Sequence, residues 1–170
     1  MIKLSAIPKG EAFIRSGIAL PTYGKFEKPG VAVQCANVDG VFYFFGEVEY
    51  SHDQESINFF RDGLDFSFYA RETKEAIRMH RKKIRHLASL GHKNIKIIQE
   101  KNISDEQSKM RIWQLSKEGK LKYINNGIIH KGMREFSALR DQFPASMKAV
   151  SCAINALDRT LYYNLNRETF

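Results

Sequence analysis

Lys74, Arg78, Arg81, Lys82 and Arg85 follow one another at spacings that a helix turns into a single surface. Wound at about 100° per residue, they fill one contiguous arc of about 100° with no acid inside it and only Glu75 at its border. Guanidinium and ammonium groups so arranged neutralise phosphates and release counterions, so the chemistry expected is contact with a nucleic-acid backbone. The plainer reading is a solvated face whose long stems cover apolar neighbours. Against it, Lys74/Arg78, Arg78/Lys82 and Arg81/Arg85 are like-charge pairs one turn apart, which destabilise a helix. That repulsion calls for compensation from outside the helix. A phosphate backbone would supply it, and so would the acidic N-terminal part of this chain.

Lys117, Lys120 and Lys122 extend the basic set beside Trp113 and Tyr123. Residues 110–116 and 120–125, joined by Lys117-Glu118-Gly119, read as a strand hairpin, and basic strands interleaved with aromatics suit stacking on unpaired bases. Trp113 with Leu115, and Leu121 with Tyr123, also share faces by period two, which is the pattern of a core. Further on, residues 135–143 and about 147–165 read as two helices broken at Pro144, with Ser146 as cap. The second would present Lys148, Ser151, Asn155 and Arg159, types able to read base edges or phosphates. With the hairpin before it, this pair resembles the small helix-turn-helix modules appended to bacteriophage homing endonucleases. The resemblance implies a phage or mobile-element accessory or regulatory protein.

Evidence for catalysis is thinner. Gly30-Val31-Ala32 and Phe44-Phe45-Gly46, with a basic helix downstream, resemble the paired triplets of the GIY-YIG nuclease family. Ala32 and Phe44 replace the two motif tyrosines, so the activity is not carried over. Glu47, Glu49, Asp53, Glu55, Asp62 and Asp65 could hold Mg²⁺ for a metal-dependent nuclease, although acids on the outer face of a strand are ordinary. His52, His80, His86, His92 and His130 lack metal-ligand spacing, and His80 falls on the apolar side of its helix. There is no Gly-rich phosphate loop. No catalytic residue, metal ligand or cofactor is assigned.

The elements that position these residues read as follows. Residues 71–134 hold 17 Lys/Arg against 6 Asp/Glu, whereas residues 1–70 hold 6 against 9 and residues 135–170 balance. Charge segregated in this way builds a field directed at a polyanion or at an acidic protein surface, where an inhibitor or adaptor would act. Residues 7–30 read as mostly loop with short extended pieces because of their Pro and Gly content. Residues 31–38 and 41–50 make a hairpin around Asp39-Gly40. Asp62-Gly63 could turn a second one, joining 57–60 to 64–70. A basic amphipathic helix over about 73–90, capped by Thr73 and stopped at Gly91, leads into a strand at 94–100. The expectation is an α+β fold with a single, mostly antiparallel sheet. Residues 1–134 would form the α+β domain, and 135–170 a C-terminal helical pair packed on the same core, burying Val150, Ala153, Ile154, Leu157, Leu161 and Leu165. Two cysteines in separate elements fit a reducing cytoplasm. No signal peptide and no window of about 18 apolar residues is present, so no membrane span is expected.

Overall fold

Asp39 and Gly40 take φ of +53° and +82°, the left-handed pair that a tight hairpin turn requires. The turn joins β2 (Gly30–Val38) to β3 (Val41–Tyr50) in antiparallel register from Val38↔Val41 to Gly30↔Tyr50. The structure is a computed structural model. It describes residue 7 and residues 13–21, 28–50, 58–59, 67–81, 96–99, 104–138 and 143–168, with the side chains of the last helix described as far as residue 159.

β1 (Phe13–Ala19) pairs antiparallel with β2 on the side away from β3. Proline and glycine content predicts mostly loop with short extended pieces over residues 7–30, and one of those pieces is this seven-residue central strand. Gly17 is there because the C-terminal helix lies directly on it: a Cβ at this position would run into the carbonyl oxygen of Ala149. β4 (Ser67–Ala70) pairs parallel to β1, and β5 (Lys96–Gln99) parallel to β4. Between β4 and β5 comes helix α1, described over 74–81, whose first turn is capped by Thr73 Oγ1 accepting the Ala76 N–H at 3.1 Å. Residues 82–91, with the expected helix end at Gly91, lie outside the described residues. So does most of the second expected hairpin. Of its first strand, Asn58 and Phe59 are helical.

The hairpin expected over 110–125 is not formed. Residues Asp105–Lys117 are helix α2. Ser104 and Gln107 form a reciprocal capping box at its start, with Asp105 and Glu106 in the first turn. Gly119, at φ +68°, ends it: the Gly119 N–H donates to Ser116 O and the Lys120 N–H to Leu115 O. Helical spacing buries Ser108, Ile112 and Leu115 and turns Trp113 outward, so the alternation of Trp113 and Leu115 was a coincidence of two periods. Only β6 (Leu121–Lys122) remains as strand, pairing parallel with the start of β3.

Helix α3 (Ile128–Ala138) begins earlier than the sequence suggested, and α4 (Ala145–Glu168) closes the fold. Ser146 lies inside α4 and is not its cap. Val150, Ala153, Ile154 and Leu157 are buried as expected. The six strands run in the order β5-β4-β1-β2-β3-β6, a mixed sheet whose two long central ladders are antiparallel. Its faces carry separate cores. Val31, Val33, Cys35 and Phe44 pack with α2, α3 and α4. Ile18, Ala32, Val48 and Phe68 pack with Ile77 of α1 and with Phe59 on the other side. The fold is α+β, with helices on both faces of one sheet. No helix among the described residues is long and apolar enough to cross a membrane.

Candidate nucleic-acid interface

α1 springs from the carboxyl end of β4, and Ile77 anchors it to the sheet at 4% exposure. Lys74, Arg78 and Arg81 are all exposed on its outer side. None of the three makes an ion pair among the described residues. Lys82 and Arg85, the other members of the arc, lie outside the described residues. His80 sits half-buried on the flank of the helix that faces a cleft.

The remaining predicted contacts do not extend this surface. Lys117 ends α2 on the opposite face of the sheet, and Lys120 and Lys122 flank or form β6, the far edge strand. β6 also pairs with the beginning of β3, whereas α1 starts where the parallel strand β4 ends. One footprint therefore does not span both groups. Lys120 is paired with Glu118 at 2.9 Å. The exposed Glu118 carboxyl is held below its ordinary pKa by hydrogen bonds from Lys120 and then Gln114.

α4 is not a recognition helix. From Ser146 to Leu157 all but the half-buried Lys148 is buried, Ser151 and Asn155 included, because this helix fills the space between the sheet and its neighbours. A helix covered in this way cannot enter a groove, and the structural ground for a helix-turn-helix module goes with it. Asn155 is thus withdrawn as a base-reading residue, Lys148 faces the cleft, and Arg159 alone of the three is exposed.

Two tertiary devices that the sequence did not disclose build the end of the sheet where β1, β3 and β4 finish. The Glu47 carboxylate on β3 accepts the Ile128 and Ile129 N–H groups, each at 2.9 Å, and so caps α3 from a distant strand. Gly127 permits that approach, since a Cβ there would run into the carboxylate. Arg71, just past β4, donates to Asp105 at 2.7 Å and to the hydroxyls of Ser108 and Ser151 at 2.5 Å, with its guanidinium over the Phe143 ring. It joins the sheet to α2 and α4. Local patterns carry no sign of either device, because the partners lie 34 to 82 positions away.

Beside these lies a cleft of about 1390 Å³ lined by Glu49, Glu72, Lys28, Lys131 and Lys148 among others. Burial pushes the Glu72 carboxyl above its ordinary pKa, opposed by the charge of Lys148, a hydrogen bond from the Leu20 backbone and the charge of Arg71. Among the described residues no group of three or more His, Cys, Asp or Glu side chains could hold a metal ion. Asp53, Glu55, Asp62 and Asp65 lie outside the described residues. Cys35 and Cys152 are separate, buried thiols.

Fold and surface together define an α+β protein with a mixed sheet, helices on both faces and one exposed cationic helix. No protein-family model matches the chain, and no curated protein is similar to it in sequence.

Proposed function

We propose that this protein binds the phosphate backbone of nucleic acid through the outer face of α1, with Lys74, Arg78 and Arg81 as contacts. The observation that carries this reading is the state of its charges. The three cations are exposed and side by side, and they make no ion pair among the described residues, while the acids that do pair serve other cations: Asp105 serves Arg71, Asp158 serves Arg111 and Glu118 serves Lys120. A phosphate backbone would supply the compensation that the like-charge helix calls for. Contacts of this kind position a protein on a strand without reading its sequence.

Fluorescence anisotropy with labelled duplex DNA, single-stranded DNA and RNA at several salt concentrations tests the reading. Three phosphate contacts on duplex DNA predict a slope of about −2.7 in log affinity against log salt. Arg78→Glu combined with Arg81→Glu should abolish binding to duplex DNA with the fold retained. Absence of binding to all three nucleic acids at low salt would reject the reading and turn the same face toward an acidic protein partner.

A further inference from the structure

The outer side of α2 carries an apolar surface that the fold does not use. Trp113 is 48% exposed and Met110 70% exposed, one turn apart, while the helix buries its opposite side through Ser108, Ile112 and Leu115. One part of the indole rests near Phe136, ring centroids 6.4 Å apart, which fixes its position and leaves the rest to solvent. Lys109 stands four residues before Trp113 and Lys117 four residues after, each about 6 Å away along the axis and on neighbouring parts of the same helix face. Neither lysine makes an ion pair among the described residues.

An anchored aromatic ring between two unpaired cations matches an unpaired nucleotide, whose base stacks while the adjoining phosphates are neutralised. A protein partner fits less well, since lysine is depleted in protein interfaces where aromatic residues and methionine concentrate. Duplex does not fit, because its bases already stack on one another and offer no free face. Glu106, one turn before Met110, closes the surface at its N-terminal end.

We propose that the Trp113 face of α2 is a second binding surface, separate from α1, that takes an unpaired nucleic-acid strand by stacking one base on the indole between Lys109 and Lys117. It stands on the opposite face of the sheet from α1 and does not depend on that helix binding anything.

Trp113 is the sole tryptophan of the chain, so its own emission reports the site. The experiment titrates the full chain with oligothymidylate, oligouridylate and blunt DNA duplex, following tryptophan fluorescence. Oligothymidylate should quench the emission and duplex should not. Lys109→Glu with Lys117→Glu, both exposed or partly so, should weaken the quenching titration at least tenfold while the circular dichroism melt is unchanged. Trp113→Ala, followed by anisotropy, should lose about tenfold in affinity for the single strand, with Trp113→Phe restoring part of it. Arg78→Glu with Arg81→Glu should leave the quench in place, which separates this surface from the α1 reading. Absence of quenching by oligothymidylate, equal quenching by duplex, or loss of the quench in the α1 variant would each overturn the proposal.

Discussion

The cations of this protein stand in two kinds of surroundings. Arg71 is a side chain at 17% exposure with a carboxylate, two hydroxyls and a phenyl ring around its guanidinium. Arg78, seven residues later, stands in solvent with no ion pair among the described residues. The first is tied into the packing of β4, α2 and α4. The second stands exposed on the outer side of α1. Residue type alone does not separate a structural arginine from one left over for a partner, whereas the set of neighbouring acceptors does. A strongly basic segment can therefore hold both kinds side by side.

Substitutions should pull the two kinds apart. Arg71→Ala removes the clamp: the buried Ser151 hydroxyl loses its arginine and Ser108 keeps only its bond to the Ser104 carbonyl, so stability should fall by about 3 kcal/mol in a denaturant titration. Any effect on binding would follow from unfolding alone. Arg78→Glu with Arg81→Glu should do the reverse. Affinity should fall at least a hundredfold, about 2.7 kcal/mol, while the unfolding midpoint stays within about 0.5 kcal/mol of the parent. An α1 variant that melts clearly earlier would mean that the helix is neutralised from within, and the contrast would collapse. Arg111→Ala tests the middle ground. Its bidentate pair with Asp158 is about a third exposed on both sides, so solvent screening should hold the loss to about 0.5 kcal/mol. The smallest effect concerns Glu72. Its carboxyl titrates above the ordinary value in the folded state, so ionisation opposes folding, and the penalty is absent below the unfolded pKa and complete above the folded one. Glu72→Gln should raise the melting temperature slightly at neutral pH, and the difference should vanish in acid.

The elements that could be read in advance were those whose signals are local. Asp39-Gly40 makes its own turn, Thr73 caps the next turn of chain, and the three-and-four spacing of Val150, Ala153, Ile154 and Leu157 needs only a helix to become a face. α2 was legible too, in Ser104-x-x-Gln107 and in Gly119, but Trp113 and Leu115 also satisfy period two and drew the reading toward strands. Gly17 misled for a different reason. A glycine that makes room for a helix is indistinguishable, along the chain, from one that makes a turn. The α1 surface was visible because exposure is what a one-sided charge pattern predicts. The Arg71 and Glu47 devices were not, because their chemistry exists only after distant segments meet.

The seat of α4 on Gly17 has a consequence for the order of events during synthesis. β1 emerges from the ribosome early, yet the backbone that covers it belongs to Ala149 and Ala153. The central strand must therefore wait, with one face bare, until the residues of α4, more than a hundred positions further on, have been made. Such long-range closure slows folding and leaves apolar surface open to other chains in the interval. Nascent chains stalled before residue 145 should accordingly be held by chaperones, and release should coincide with the arrival of the last helix.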